Sequence, residues 1–476
     1  MIWPLILVAA VLACAVGIHF RRSWRLEHRQ LDPDEEQYGK ETFVYVPPNA
    51  VFWILLIWGL LLSFVYGLPE GPIRFATMLA QALLILSVYY LFLLVLMPSF
   101  RNRFSARACA TLWLVPAFLG VSMQYLSLAF PLPCLSILIP RSILTVIFIL
   151  WGAGAVLVGG YYLLSNHLFS KKVRKEAIPE ADEVILALFE AERTALDYQN
   201  DVQLLRAEVP APFSMGRSKN MRCLVLPHRA YTPEELSMIF RHELHHLQRC
   251  DLDTKVYLCL CRALGWFNPL VWIATKKAAE DLELSCDEIV TENMDAPGRR
   301  AYAALLLDNA APAQGCTTCL SAAASTLRYR LKGVVDRRRR TRGTWLLVAC
   351  VFCFTLCLGL FSISDARGSY ASLLKKKGEI ITVSDSQYGV TQKWDIPAVQ
   401  AILNDLELEH VATGKRHPVM SGRFISLLLS SGPAYLSEQG LVVTNYSAGF
   451  SSFLQECYLL KSPLDWAALD ACLIQE

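Results

Sequence analysis

Six apolar runs punctuate the chain, at residues 1–20, 51–68, 76–98, 108–130, 142–164 and 345–363. Each approaches the roughly 20 helical residues needed to cross about 30 Å of hydrocarbon. The pattern predicts six membrane-spanning helices. The first is read as an anchor, because it lacks the basic leader and small-residue cleavage site of a signal peptide. The long stretch 171–342 separates the fifth run from the sixth, and the segment 364–476 follows the last. Both are long enough to form a core of their own. The expected organisation is therefore a membrane domain over 1–170, a soluble domain over 171–342, a single span over 343–363 and an outer domain over 364–476.

Within 171–342 the pattern changes to that of amphipathic helices. "EADEVILALFEAERTALD" (Glu180–Asp197) has apolar residues at helical spacing. "MRCLVLP" (Met221–Pro227) is a short β-like run, expected as a sheet edge able to hold an extended peptide. "YTPEELSMIF" carries a helix start: Thr232 as N-cap, Pro233 at the first position and Glu235 completing a capping box. "FNPLVW" repeats it with Asn268 and Pro269. The intervening "VYLCLCRALGWF" (Val256–Phe267) is too short to span a bilayer and reads as a packed core helix. The tail reads as α+β, with strands in "GEIITVSD", "GRFISLLLSS" and "GLVVTNYS" and a helix in "DIPAVQAILNDLEL".

Charge adds orientation. Charged residues are 18% of the chain, below the roughly 25% of soluble domains. The basic clusters "RRSWRLEHRQ", "SFRNRFSAR", "KKVRK" and "RRRRTR" (Arg337–Arg342) all fall on one side of the alternating spans. Positive charge marks the cytoplasmic side. The N-terminus and the tail are thus expected outside and 171–342 in the cytoplasm. Basic residues flanking spans, at a net charge of +3, make no case for nucleic acid. Spans nearly devoid of ionisable groups disfavour transport. Cytoplasmic cysteines are expected to be reduced, and "CTTC" (Cys316–Cys319) is a lone CxxC. Cys457 and Cys472 share the outer tail, which leaves a disulfide between them open.

The candidate chemistry lies in "RHELHHLQRC" (Arg241–Cys250). On a wheel of about 100° per residue starting at Leu236, His242 and His246 fall near roughly 240° and 280°. Glu243 falls at about 340°, against the apolar stripe of Leu236, Phe240 and Leu247. His245 falls on the far side of the wheel from Leu236 and is expected on a solvated face. Imidazoles at i and i+4 can share one ion, and the adjacent carboxylate can take a proton from metal-bound water. The pattern thus predicts a metallopeptidase helix with His242 and His246 as ligands and Glu243 as base. A third ligand is expected on a neighbouring helix. "EDLELSCDEIV" offers Glu280, Asp281, Glu283, Asp287 and Glu288, and spacing alone leaves Glu280 and Glu283 both open.

"HELHHLQRCD…WFNPLVW…EDLELSCDEIV", preceded by "PFSMG" and "LVLP", resembles the bacterial BlaR/MecR-type membrane metallopeptidases over roughly residues 171–345. These are signal transducers that receive a signal outside and cleave a cytoplasmic target, often a repressor and sometimes themselves. The resemblance implies a gluzincin-like domain with Zn2+ on His242, His246 and Glu283. It implies Glu243 as general base and acid, and Asp287 as the aspartate that supports a ligand histidine. The tail departs from the best-known members. "SLLK" (Ser372–Lys375) matches SxxK, but the segment 364–476 is too short for a penicillin-binding domain and its partner motifs are missing.

The expectation is a multi-pass α-helical membrane protein. It bears a mainly helical zinc metallopeptidase domain with a small β edge and a small α+β extracellular C-terminal domain. Its expected partners are a cytoplasmic protein substrate such as a transcriptional repressor, membrane lipid and a second copy of the chain as homodimer. The competing readings are a quality-control or prenyl-protein-type membrane metalloprotease and a non-catalytic receptor or scaffold.

Overall fold

The computed structural model describes residues 3–28, 48–68, 70–116, 135–139, 141–216, 222–309, 318–319, 324–335, 340–357, 361–364, 367–371, 379–387, 393–410, 422–430, 432–444 and 455–474. Met221, Cys316, Arg337–Arg339, the segment holding Ser372–Lys375 and residues 117–130 of the fourth apolar run lie outside these.

The chain opens with apolar helices α1 (Trp3–Glu27), α2 (Pro48–Tyr66) and α3 (Glu70–Arg103), a short α4 (Ala106–Leu112), strand β1 (Leu135–Leu138) and α5 (Arg141–Glu176). Strands β2 (Ile178–Pro179), β3 (Gln203–Ala207), β4 (Phe213–Met215) and β5 (Cys223–Pro227) follow, with α6 (Glu183–Ala195) inserted after β2. Next come α7 (Pro233–Gln248), α8 (Asp251–Leu264), α9 (Pro269–Val290), α10 (Ala296–Asp308), β6 (Thr318–Cys319), α11 (Ala324–Val335) and α12 (Thr344–Cys357). Past β7 (Phe361–Ser364), the tail holds β8 (Arg367–Ser369), β9 (Ile380–Asp385), α13 (Ile396–Asn404), β10 (Glu407–His410) and β11 (Phe424–Leu429). It ends with β12 (Gly432–Ser437), β13 (Gly440–Thr444), β14 (Gln455–Leu460) and α14 (Trp466–Asp470).

Among the described residues, three helices are long and apolar enough to cross a membrane: Ile6–Glu27, Gly71–Arg103 and Ser142–Glu176. The second run forms a shorter apolar helix (Pro48–Phe64), and so does the sixth (Thr344–Leu356). The end of the sixth run, Phe361–Ser364, is not helical but a strand paired in parallel with Leu135–Leu138. The described start of the fourth run is the short α4, every residue of which is buried. Tyr89 Oη donates to Leu112 O, and Trp113 Nε1 donates to Asp281 on α9. Apolarity alone does not distinguish burial in protein from burial in lipid. The expected boundary at 170/171 also falls inside a helix, since α5 continues to Glu176.

The apolar helices and the helical domain share one core. Tyr90, Leu93, Ala108, Leu112, Tyr257, Leu258, Val271, Ala278 and Val351 belong to a single buried cluster. Asn268, at the α8–α9 corner, donates to Ser87 Oγ at 2.6 Å. Ser87 lies about four helical turns before Arg101 on α3, roughly 21 Å at about 1.5 Å per residue. The corner is thus wedged deep among the apolar helices. Trp151 Nε1 donates to Leu264 O, and Trp266 Nε1 donates to Trp151 O. The 251–264 helix buries Tyr257, Leu258 and Cys261 as a core helix should, whereas Trp266 and Phe267 beyond it are exposed.

The domain's sheet runs β2-β3-β5-β4-β6. The strand found there, β5, is therefore central and not an edge: it pairs in parallel with β3 and antiparallel with β4, and Cys223–Leu226 are buried. A continuous apolar run fits a strand covered on both faces, which the expectation of an edge overlooked. The tail is α+β as expected, with an antiparallel sheet in the order β8-β10-β14-β13-β12-β11-β9. Cys457 and Cys472 are not disulfide-bonded. Cys457 packs with Val442 and Leu459, whereas Cys472 belongs to the main tail core, so no disulfide joins them.

Gly154 on α5 makes room for the corner: a Cβ there would sit 2.2 Å from Trp266 Cε2. Gly154→Leu should push the α8–α9 corner off α5 and destabilise the chain by about 1–3 kcal/mol. A lowered Tm of the detergent-solubilised protein relative to Gly152→Leu, where a Cβ meets nothing within 4 Å, would show it.

Candidate metal centre

Helix α7 begins where its local chemistry says it should. Thr232 accepts from Glu235 N, Glu235 accepts from Thr232 N, and Pro233 occupies the first turn. The start of the helix fixes the rotation of all that follows, so His242 and His246 face the same way one turn apart. Their Nε2 atoms lie 3.2 Å from one another, with the rings nearly perpendicular. Helix α9, capped by Asn268 on Leu270 N with Pro269 behind it, brings Glu283 alongside. Glu283 Oε2 lies 3.6 Å from each Nε2. That oxygen is buried and makes no hydrogen bond among the described residues. Arg330 Nη1 stands 3.4 Å from it.

The outer nitrogens of both rings are held. His246 Nδ1 lies 2.8 Å from Asp251 Oδ2. His242 Nδ1 lies 2.9 Å from Tyr302 Oη, which donates onward to Asp287 Oδ1 at 2.8 Å. Arg330 grips Asp287 with two bonds, Nε to Oδ2 at 2.7 Å and Nη2 to Oδ1 at 2.6 Å. Lys255 Nζ donates to the other oxygen of Glu283 at 2.8 Å. With Nδ1 engaged on each ring, both Nε2 lone pairs point inward, toward a carboxylate oxygen. Three acceptors converge on one point, an arrangement that asks for a cation between them.

The ionisation of the pocket agrees. Burial pushes His242 down to about 4. Burial would lower His246 as well, but Cys286, Glu283 and the bond to Asp251 outweigh it and hold His246 well above its usual range. Glu283 stays well below the carboxylate range despite burial, because Lys255 and the imidazoles oppose it. These directions favour positive charge beside Glu283.

His242, His246 and Glu283 form a group able to hold a metal ion. His246, Asp251 and Cys286 form a second. The second is the poorer host, because the Arg249 guanidinium already donates to Cys286 Sγ at 3.2 Å and lies 3.7 Å from Asp251 Oδ2. Two imidazoles and one carboxylate with an open position are the donor set of catalytic zinc sites, so the residues present fit zinc.

Of the five acidic candidates on α9, Glu283 alone turns its carboxylate to both Nε2 atoms. Glu280 pairs with Lys277 and accepts from Thr326. Asp281 accepts from Arg101, Trp113 and Tyr329, and Glu288 accepts from Ala106 N and Arg340. Asp287 sits behind His242, its Oδ1 3.5 Å from Nδ1. Glu243 is fully buried beside the pair. His245 is not solvated but 4% exposed, because α7 packs on the sheet on one side and on helices on the other. A single apolar stripe on the wheel hides that two-sided burial.

Sequence reasoning missed Asp251, Tyr302, Lys255 and Arg330. Asp251 returns under His246 only because Cys250 takes a left-handed conformation (φ 54°) between α7 and α8. Such a conformation is uncommon and strained for a residue other than glycine. Tyr302 and Arg330 come from α10 and α11, and nothing in their local spacing marks them.

Residues 135–334 match the family described as BlaR1 peptidase M56. Among curated proteins, the regulatory protein BlaR1 of Bacillus licheniformis is similar, 27% identical over 235 residues. The match covers 48% of this chain and 39% of that protein, so the chain spans well under two thirds of that relative's length. Together with the apolar helices, this makes the chain a membrane protein, and residues 135–334 a peptidase domain of the BlaR1/MecR type.

Proposed function

We propose that the chain is a membrane-embedded zinc endopeptidase that acts as a signal transducer. In this reading, a signal received by the tail leads to cleavage of a cytoplasmic protein, repressor-like or the chain itself. The observation that carries the peptidase reading is the convergence of His242 Nε2, His246 Nε2 and Glu283 Oε2 beside a buried Glu243. The transducer reading leans on the similarity to a protein named as regulatory. The orientation, with the tail and N-terminus outside, leans on the one-sided basic clusters.

A bound zinc ion would supply a polarised carbonyl and a water whose pKa is brought toward about 7. The chain's own residues do the rest. His242, His246 and Glu283 hold the ion, with Asp251 and the Tyr302–Asp287–Arg330 chain fixing the two rings. Glu243, one residue beyond His242 on the same helix turn, takes the proton of the attacking water and returns it to the departing amide nitrogen. Its position in a site closed to bulk water keeps that proton from exchanging away.

Glu243→Gln should keep zinc and lower cleavage by roughly 10²–10⁴-fold. Comparing cytoplasmic peptides of cells carrying wild type or Glu243→Gln would also name the substrate; equal peptide patterns would sink the mechanism. Glu283→Ala should strip zinc from the purified chain, whereas Glu280→Ala should leave metal content unchanged. The reverse outcome would move the third ligand.

A further inference from the structure

The first apolar helix ends inside the helical domain, and the manner of its ending links it to the metal centre. Glu27, at the end of α1, has a fully buried side chain. Its Oε1 lies 3.0 Å from Arg107 Nε at the start of α4 and 3.7 Å from Arg249 Nε at the end of α7. Arg249, itself fully buried, lies 3.7 Å from Asp251 Oδ2. That same oxygen is the one 2.8 Å from His246 Nδ1. Arg249 is anchored further by Ser285 Oγ at 2.5 Å and Cys286 Sγ at 3.2 Å on α9. Two carboxylates and two guanidiniums, from α1, α4, the end of α7 and the start of α8, thus form one buried, charge-balanced cluster.

Charge balance makes the placement of Asp251 depend on Glu27. With Glu27 ionised, both guanidiniums have a carboxylate partner besides Asp251. Without it, two buried cations face Asp251 alone, and a buried ion that loses its partner seeks the nearest opposite charge. Arg249 then competes with His246 for Asp251 Oδ2. Groups that orient a ligand histidine through its outer nitrogen alter metal affinity when lost.

We infer that Glu27 of the first membrane helix is a positioning residue of the metal centre, acting through Arg249 and Asp251 on His246. The link also makes α1 part of the site's support. Helix α1 lies along α12, the helix leading toward the tail, so closely that a Cβ on Gly17 would meet Val348 Cγ2 at 2.5 Å. The position of α1, and hence of Glu27, is therefore set jointly by the domain and by the helix nearest the tail. This inference rests on the zinc reading above for what His246 holds, but not for the link itself.

The test uses the full chain in lipid nanodiscs, loaded with zinc and challenged with excess chelator. E27Q is nearly isosteric and removes only the charge. It should lose zinc roughly 10-fold faster or more than wild type. The double variant E27Q/R107Q also removes one of the two cations, so one guanidinium rather than two draws on Asp251, and it should recover part of the lost retention. Zinc retention is read below the Tm of each variant, so faster zinc loss from a chain that stays folded separates positioning from general damage. Wild-type retention in E27Q would overturn the inference, as would a double variant no better than the single one. Should the wild-type chain bind no zinc, the zinc reading fails while the link stays testable. The 15N resonance of His246 Nδ1 in the metal-free chain should then shift in E27Q and partly return in the double variant; an unmoved resonance overturns the link.

Discussion

Three acceptor atoms brought to one buried point set the terms for the rest of the helical domain. His242 Nε2, His246 Nε2 and Glu283 Oε2 would each be solvated in water, and burying them face to face is costly unless positive charge lies between them. The surroundings supply the compensation. Asp251 and Tyr302 take the outer nitrogens, Arg330 neutralises Asp287, and Lys255 takes the far oxygen of Glu283. Those partners come from α8, α10, α9 and α11, so the cluster pins the helices around α7 to one arrangement. Hydrophobic packing of Phe240, Leu244, Leu306 and Val334 beneath it adds non-directional cohesion. The polar bonds specify the angles.

The same constraint explains why the domain and the apolar helices are not separable bodies. α9 must present Glu283 to α7 while its other face buries Val271, Ala274 and Ala278 among α3, α4 and α8. Arg101, at the end of α3, reaches Asp281 two residues before Glu283 at 2.8 Å. The Glu27 cluster closes the arrangement from α1. Apolar helices thereby pack directly against the elements that carry His242, His246 and Glu283.

Much of the local structure is legible in the chain. Thr232, Pro233, Glu235, Asn268 and Pro269 announce two helix starts because capping depends on residues within one turn. The tail's α+β pattern is legible for the same reason, since alternation reports a half-buried strand wherever it lies. The sixth run is overestimated at Phe361–Ser364, because their pairing with β1 is a contact between segments far apart in the sequence. β5 looks like an edge, and a disulfide between Cys457 and Cys472 stays open, because neighbours in a sheet and in a core are not written in spacing.

The sequence by itself determined the pair of histidines and the carboxylate beside them, since i, i+4 geometry is intrinsic to any α-helix. It also confined the candidates for a third ligand to one short acidic stretch. Only the tertiary structure brought Glu283 rather than Glu280 to the two histidines, buried His245, and placed Asp251, Tyr302 and Arg330 around them. The physical reason is one of range: helix periodicity fixes directions within an element, while the rotation of one element against another is decided by what packs between them.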